Sequence, residues 1–387
     1  MKSDWEAEMQ GSWWKEEKDL IDEQKAVVNL PQEGKYIILG PPGSGKTNLL
    51  LLRLKWLAVA GKKNVLFLTV GRSLSEFIRT GIGPKKIIEP EQIKTYRRWA
   101  YDVAADYRPD LLKDVPEQYE ESRKYFSQHL AAITQQLPNG FYDAIAIDEV
   151  QDLEGPELSV LERLSPRIMV AGDTRQSIYA GNGVAAAKAA GYSERVLQFH
   201  YRIGRAICRV ADSIYPPDAG QPTLLQRCQY DEKLPSTAEV VKCADLNEQC
   251  LKLVENVRVQ LKSFPGETVG VLLPTFKHGV LDAVRKSLDS AEFGGLVEYH
   301  GQDGRDFPDG KRVFVVTCHS AKGMEFRVVN IVAAERMYQG PLGKRTLQFT
   351  AVTRAKTSLR VYYAGKLPAA MATAFAAEEI PEIGAVF

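Results

Sequence analysis

The sequence has little cysteine and little histidine. Five of each occur in 387 residues, and the cysteines, at positions 208, 228, 243, 250 and 318, include no CxxC pair. The histidines likewise lack a spacing typical of metal sites. These absences exclude a disulfide-stabilised scaffold and a sequential zinc-binding motif. They predict reduced cysteines with mostly structural roles.

Long apolar runs and an excess of charge are absent as well. No stretch reaches the length of a bilayer span, and the opening MKSDWEAEMQ is too polar for a secretory signal, so we expect a cytoplasmic protein without membrane contact. Lysine and arginine number 50 against 49 acidic residues, a net charge of +1. A near-neutral chain can hold nucleic acid only through a locally positive groove.

Length and pattern favour two globular α/β domains. A chain of 387 residues exceeds one common core, and its 44% hydrophobic and 26% charged fractions are ordinary for folded proteins. Strands are predicted at 36–39, 64–70, 143–148 and 167–172, and later in the segments EVVKC, TVGVLLP, RVFVVTC, VVNIVAA and LRVYYAG. Because helical stretches alternate with them, we predict two mainly parallel sheets flanked by helices. The predicted domains are residues 1–190 and 191–387, with a hinge at 185–200 and a short helical insertion at about 95–137.

A glycine-rich segment, GPPGSGKT, lies between the apolar strand KYIIL and the leucine-rich helix NLLLLRLKWLAVA. Glycines let backbone N–H groups turn towards phosphate oxygens, and the following helix directs its positive end at the same anion. The lysine then meets the β- and γ-phosphates, and the threonine meets Mg²⁺. The sequence thus predicts a site for ATP and Mg²⁺ formed by Gly40, Pro41, Pro42, Gly43, Ser44, Gly45, Lys46 and Thr47. An accidental glycine-rich loop is the less favoured interpretation.

A second buried strand, YDAIAI, ends at two carboxylates, Asp148 and Glu149. Open parallel sheets bind ligands at the carboxyl ends of their strands. Asp148 fits the acid that holds Mg²⁺ in P-loop enzymes, and Glu149 would take a proton from the water that attacks the γ-phosphate. Alone, such a pair would usually be a solvated turn. Together with the phosphate loop it indicates a catalytic site.

The order of the motifs resembles superfamily 1 helicases of the UvrD, Rep and PcrA type. The phosphate loop is followed by AIDEVQDL and VAGDTRQSIY, and matching segments extend from about residue 24 to residue 361. The resemblance implies two RecA-like domains. It places Gln24 of IDEQKAVV at the adenine and Gln176 of GDTRQSIY as a sensor between the γ-phosphate and nucleic acid. In VTCHSAKGMEFRVVNI it places His319 near the strand, and Gly323 and Glu325 near the nucleotide.

Two arginines far down the chain complete the set that the resemblance implies. FHYRIG carries Arg202 and FTAVTRAKTSL carries Arg354, each as an arginine finger. Rigid bidentate cations suit the charge that builds up on a transferring phosphoryl group. If a second domain supplies them, ATP binding draws the domains together and hydrolysis lets them part, which can drive stepping along a strand. Without its neighbouring motifs, either arginine would be interpreted as a surface residue.

Candidate contacts to a nucleic-acid strand follow the second predicted strand and lie in the TYRRWA segment. Arg72, Arg97 and Arg98 would neutralise phosphates, and Trp99 would stack on a base unless its ring belongs to the core. Tyr179 is a further candidate for stacking.

The chain departs from the family that it resembles at three positions and in size. Gly181 stands where the family commonly has a stacking aromatic residue, Val70 replaces another aromatic, and Asn48 replaces an arginine after the phosphate loop. The family's large insertions are missing too. These departures leave ATP chemistry intact, but binding of the nucleic-acid strand and unwinding of a duplex would depend on other residues or on a partner.

The resemblance implies an ATP-dependent DNA helicase or translocase that moves 3′ to 5′ on single-stranded DNA, and RNA is not excluded. The alternative is a nucleic-acid-sensing ATPase switch in a multi-protein complex, such as an anti-phage defence system with a nuclease partner. A P-loop kinase is disfavoured because it has no role for two distal arginine motifs. Trp5, Trp13 and Trp14 would pack on the first domain or dock a partner.

Overall fold

The computed structural model describes residues 17–71, 74–75, 78–79, 88–178, 181–231, 233–289, 291, 293–299, 310–338 and 340–378. Contacts within the chain divide it into two compact units. The N-terminal unit contains the described residues up to Gly40 together with Gly45–Leu197, and the C-terminal unit contains Pro41–Ser44 and the chain from Gln198 onwards. Each unit has its own sheet.

The N-terminal unit is built on a six-stranded sheet whose strand pairs are all parallel. Its strands are β1 (Gly34–Leu39), β2 (Val65–Thr69), β3 (Ile93–Thr95), β4 (Ala144–Ile147), β5 (Arg167–Gly172) and β6 (Ser193–Val196). They lie in the order β3-β2-β4-β5-β1-β6. The carboxyl ends of β1, β5 and β4 are therefore adjacent at one edge, and they deliver Gly40, Asp173 and Asp148 to that edge.

Helices cover the sheet of the N-terminal unit. They are α1 (Asp22–Val28), α2 (Lys46–Val59), α3 (Tyr96–Tyr107), α4 (Tyr119–Ile133), α5 (Gly155–Leu164) and α6 (Gly183–Ala189). Every residue of β2 and β4 is buried, because a parallel sheet covered on both faces needs continuous apolar strands. Helix α3 starts where the hydroxyl of Thr95 accepts a hydrogen bond from the Arg98 N–H, at 3.1 Å.

The C-terminal unit repeats this architecture with β7 (Thr237–Cys243), β8 (Val269–Leu273), β9 (Val297–Tyr299), β10 (Val313–Thr317), β11 (Phe326–Ile331) and β12 (Ala355–Ala364). The order is β7-β12-β11-β8-β10-β9, and all pairs are parallel. Its helices are α7 (Arg205–Ile214), α8 (Leu246–Ser263), α9 (Val280–Asp289), α10 (Arg345–Val352) and α11 (Ala369–Glu378). Gly270 in β8 leaves room for the ring of Phe326, which a Cβ would meet at 2.6 Å.

The sequence prediction of two mainly parallel, RecA-like sheets is confirmed. Every predicted strand is present, although LRVYYAG belongs to a strand that begins earlier, at Ala355. Strands β3, β6 and β9 were not predicted. Strands β3 and β9 have only three residues each, and all four residues of β6 are exposed, so none of them gives a buried apolar run.

All five cysteines are buried and none forms a disulfide. Within the described part of the chain, none of the helices combines the length and the apolar character that crossing a membrane requires.

Candidate active site

The phosphate loop joins β1 to α2, and glycines determine its shape. Gly43 and Gly45 have φ angles of 76° and 94°, in the left-handed region where other residues are strained. A Cβ on Gly45 would also lie 3.1 Å from the Nε2 atom of Gln24. Helix α2 begins at the next residue, Lys46, so its first N–H groups and its positive dipole end are at the loop. The backbone has the form of an anion-binding site.

Lys46 places its charge at this loop. Its Nζ atom donates to the carbonyl oxygen of Gly40 at 2.9 Å, and the residue is buried. A buried ammonium group beside a helix N-terminus concentrates positive potential where phosphate oxygens would bind.

Thr47 and Asp148 form the most direct link between the first two motifs. The Thr47 hydroxyl donates to Oδ2 of Asp148 at 2.6 Å, and Oδ1 of Asp148 accepts from the Glu149 N–H at 2.9 Å. Asp148 is only 1% exposed. Burial, and next the charge of Glu149, raise the pKa of Asp148 to about 6. A hydroxyl and a carboxylate held together are ligands of the type that Mg²⁺ prefers.

Glu149 is held in place by Gln151. The Gln151 side-chain amide donates to Oε2 of Glu149, while its Oε1 accepts from the Asp173 N–H at 3.2 Å. Both side chains are buried, and the Glu149 backbone has a φ of 57°. Gln151 thus connects the candidate base after β4 to the motif that follows β5.

Gln176 and Gln24, two further residues of the predicted site, are both buried. Nε2 of Gln176 donates to Oδ2 of Asp173 at 2.8 Å, so Gln176 belongs to the same hydrogen-bonded group as Gln151. Oε1 of Gln24 accepts from the Ile21 N–H at 3.4 Å, and its Nε2 lies near Gly45.

The structure explains why no aromatic residue stands at position 181. A Cβ on Gly181 would lie 2.6 Å from the carbonyl oxygen of Asp152 and closer still to that of Gln151. A Cβ on Gly183 would meet the carbonyl oxygen of Val150. These two glycines, which we call the glycine clamp, pack directly on the turn that follows Glu149. Any side chain at position 181 would require this backbone to move.

Arg202, Glu325 and Lys356 form an ionic group in the C-terminal unit. Nη1 of Arg202 donates to Oε2 of Glu325 at 2.7 Å, and Nζ of Lys356 lies 3.8 Å from the same oxygen. Burial alone would raise the pKa of Glu325, but the charges of Arg202 and Lys356 outweigh burial and lower this pKa. Burial lowers the pKa of Lys356 to about 8, against the opposing attraction of Glu325.

Arg354 is buried beside this group. Its Nε donates to the Thr350 carbonyl at 2.9 Å, and its Nη1 donates to the Met324 carbonyl at 3.1 Å. Gly323, with a φ of 80°, immediately precedes Met324. The structure therefore brings the predicted residues Arg202, Gly323, Glu325 and Arg354 together at the start of β11 and β12.

Trp99 is a core residue, which is the alternative that the sequence left open. Its ring is 1% exposed, and its Nε1–H donates to the hydroxyl of Tyr142 at 2.9 Å. A base cannot stack on a ring in the core, so the suggestion of a Trp99 stacking platform is wrong. The aromatic residue that α3 exposes is Tyr101, 44% exposed, with the guanidinium of Arg98 5.8 Å from its ring centroid. Arg98 also pairs with Asp102 at 2.7 Å.

The other predicted nucleic-acid contacts are dispersed or not described. Arg97 is partly exposed on α3, and His319 is partly exposed in the turn after β10. Burial, and next the charge of Lys344, lower the pKa of His319, so the ring is neutral near pH 7. Arg72, Tyr179 and the three N-terminal tryptophans lie outside the described residues.

The sequence prediction assigned no role to three polar residues of the site: Asp173, Lys356 and Gln151. Asp173 immediately follows β5, as Asp148 immediately follows β4, and that position was an available signal. Lys356 is a charged residue in the buried beginning of β12. Gln151 stands in AIDEVQDL, but its contact with Asp173 depends on β4 and β5 being neighbours.

Comparison with known proteins supports the family resemblance that the sequence motifs indicated. Residues 23–182 match the family model of the AAA domain, and residues 312–362 match that of the UvrD-like helicase C-terminal domain. Among solved structures, the C-terminal domain of a possible DNA helicase from Lactobacillus plantarum WCFS1 is 22% identical, with 46% of this chain and 96% of that chain covered and a TM-score of 0.34. A TM-score this low gives no support for a shared fold or function. No curated protein matches this sequence significantly.

The two matched domains and the two parallel sheets define the class. The chain has the domain composition of a UvrD-like helicase, and the resemblance found in its motifs is confirmed. These domains support an ATP-hydrolysing helicase, and the matched families use ATP with a divalent metal.

Proposed function

We propose that this protein is a Mg²⁺- and ATP-dependent helicase or translocase that moves 3′ to 5′ along single-stranded DNA. The observation that carries the proposal is the hydrogen bond between Thr47 and Asp148 at the N-terminus of α2. It joins a hydroxyl and a carboxylate beside a phosphate loop, as coupling a metal to a nucleotide requires. A loop that bound phosphate without chemistry would not need this pair.

The residues present fit ATP and Mg²⁺. Thr47 and Asp148 would hold the ion, Lys46 and the loop residues 40–45 would hold the phosphates, and Gln24 would contact the adenine. When bound, Mg²⁺ neutralises charge on the phosphate oxygens.

Glu149 is the proposed general base. Held by Gln151, it would accept a proton as the oxygen of water bonds to the γ-phosphorus, while the bond from that phosphorus to ADP breaks and phosphate leaves. Gln176 shares Asp173 with the Gln151 group, so a strand that moved Gln176 would also disturb the residues around the base.

Arg202 and Arg354 are the proposed arginine fingers. Arg202 pairs with Glu325, and Arg354 donates to backbone carbonyl oxygens. A phosphate oxygen is a stronger acceptor than the neutral carbonyl oxygens that Arg354 contacts, so Arg354 would exchange a carbonyl for it. Arg202 would share its guanidinium between Glu325 and the γ-phosphate. Gly323 and Glu325 would then border the nucleotide.

Strand binding is assigned to Arg97, Arg98, Tyr101 and His319, on their exposure and chemical type. The preference for single strands and the 3′ to 5′ direction rest on the family resemblance. A protein partner such as a nuclease is compatible with the absence of an aromatic residue at position 181.

The test is ATP hydrolysis with and without single-stranded DNA, duplex DNA and RNA, at low and moderate salt. We expect strong stimulation by single-stranded DNA, and displacement of a duplex bearing a 3′ tail but not of one bearing a 5′ tail. Lys46→Ala should abolish hydrolysis, whereas Lys55→Ala, at an exposed position of the same helix, should not. Hydrolysis that no nucleic acid stimulates would favour the partner-controlled switch. Full activity of Lys46→Ala would refute the ATP site.

A further inference from the structure

Three side chains that can ligate a metal meet in the C-terminal unit, and none of them belongs to the residues proposed for phosphate chemistry. His200 and Cys208 are fully buried, and Cys228 is 8% exposed. One ligand atom from each lies within 4.8 Å of the others. Within the described residues, no fourth His, Cys, Asp or Glu joins this group, which we call the His-Cys-Cys cluster.

The backbone fixes all three positions. His200 and Cys228 form a parallel β-bridge, in which the His200 N–H donates to the Arg227 carbonyl at 3.0 Å and the Gln229 N–H donates to the His200 carbonyl at 2.8 Å. Cys208 lies in the first turn of α7. The same helix carries Asp212, whose carboxylate accepts from the N–H groups of Leu224 and Leu225 at 2.8 and 2.9 Å. Helix α7 and the Cys228 segment are therefore tied together independently of the cluster.

The distances between the ligand atoms suit a metal ion with tetrahedral coordination. Bond lengths of about 2.3 Å to sulfur and about 2.0 Å to nitrogen place the two ligand atoms roughly 3.6 Å apart. Sγ of Cys208 lies 3.7 Å from Nε2 of His200. Small side-chain rotations would bring Cys228 to a comparable distance, because all three atoms are already within 4.8 Å.

Metal binding would have to replace the hydrogen bonds that the three side chains make in this structure. Both thiols donate to the Ile203 carbonyl, with sulfur-oxygen distances of 3.6 Å for Cys208 and 3.3 Å for Cys228. Nε2 of His200 lies 2.9 Å from the Leu224 carbonyl, so in this arrangement Nε2 carries the proton. An ion would require the imidazole proton to reside on Nδ1 and both thiols to release theirs. Two thiolates then balance a divalent charge, which makes a buried site electrostatically neutral.

We propose that His200, Cys208 and Cys228 bind one Zn²⁺ ion, with a backbone carbonyl or water as the fourth ligand. Two thiolates and an imidazole are ligands that favour zinc over the Mg²⁺ of the ATP site. His200 is two residues from Arg202, so the ion would link the segment carrying this arginine to α7 and to Cys228. The site would thus hold a proposed finger segment rigid.

The test uses the full chain, purified without a histidine tag and kept reduced. We expect about one zinc per chain by elemental analysis, and Co²⁺ substitution should give a thiolate-to-cobalt charge-transfer band with intense visible d–d bands. Cys208→Ser and Cys228→Ser should each weaken binding at least about tenfold. Cys243→Ser, which changes a buried cysteine of the same unit outside the cluster, should bind as the parent does.

The cobalt spectrum of the parent chain decides the question even if a serine variant fails to fold. Absence of a charge-transfer band in the reduced parent chain would overturn the proposal. It would also be overturned if mass spectrometry found a Cys208–Cys228 disulfide and reduction gave no metal binding. Loss of binding in Cys243→Ser equal to that in Cys208→Ser would place the metal elsewhere.

Discussion

Gly181→Ala tests whether the glycine clamp holds the candidate base in position. The added methyl group would lie 2.6 Å from the Asp152 carbonyl oxygen, whereas Cβ contacts below 3.0 Å are essentially never found. The atoms it meets are backbone, which cannot rotate away. The turn that follows Glu149 must therefore move by several tenths of an ångström, and Gln151, which binds the Glu149 carboxylate, moves with it.

The size of the effect follows from this displacement. A misplacement of about 1 Å can cost on the order of 10²-fold in rate, so a smaller shift should lower kcat by about 10- to 100-fold. Overpacking of this kind destabilises by about 1–3 kcal/mol. Gly191→Ala supplies the matched control, because Gly191 has a φ of 76° and a Cβ there would meet no atom within 4 Å. Backbone strain alone should cost this control about 1–2 kcal/mol.

The assay measures kcat at saturating ATP and single-stranded DNA, together with urea unfolding, for both alanine variants. We expect similar losses of stability but a loss of turnover only in Gly181→Ala. If the two variants keep the same kcat, the clamp does not position Glu149 and our explanation of Gly181 fails.

Trp99→Phe removes the donor to Tyr142 and should lower the free energy of unfolding by about 1–2 kcal/mol without changing stimulation of the ATPase by DNA. Tyr101→Ala should weaken that stimulation, and its effect on urea unfolding should reflect only the lost packing of its ring against Phe126. Weakened stimulation in Trp99→Phe with unchanged stimulation in Tyr101→Ala would restore Trp99 to the strand. Thr47→Val should reduce Mg²⁺-dependent turnover at least about 100-fold while Thr47→Ser retains it, and a Mg²⁺ titration of Thr47→Val that matches the parent would remove Thr47 from the metal site. For Lys356, burial lowers the folded pKa to about 8 from the ordinary lysine value of 10.5. Between these two values the unfolded chain binds the extra proton, so stability rises with pH. The rise should amount to about 3 kcal/mol and be absent in Lys356→Met, and parallel pH curves of urea unfolding for the two proteins would contradict the buried charge.

Most of the fold was predictable because buried parallel strands are continuous apolar runs in the sequence. VLFLT and AIAI need no partner to be recognised as strands. Ser193–Val196 could not be found this way, since an exposed edge strand owes its conformation to pairing with β1. Pairing partners are set by the tertiary structure, which local patterns do not contain.

In the candidate site, too, the features set by local sequence were predictable and those set by the tertiary structure were not. The phosphate loop was predictable because its chemistry is local, with glycines, lysine and threonine all within eight consecutive residues. The sequence left Trp99 open between a base contact and the core because TYRRWA was treated as a short basic segment. Once the helix is known to begin at Tyr96, the buried residues Tyr96, Trp99, Ala100 and Val103 define a core face at helical spacing.

At position 149, a backbone conformation that costs stability is combined with the side chain proposed for catalysis. Glycine and asparagine occupy this conformation readily, whereas an ordinary side chain costs roughly 1 kcal/mol or more. Glu149→Gly or Glu149→Asn is therefore expected to relieve strain while removing the proposed base. Laboratory evolution for thermal tolerance, or redesign that scores folding alone, would replace this carboxylate early and yield an inert protein. A stabilisation campaign on this enzyme must hold position 149 fixed and select on turnover.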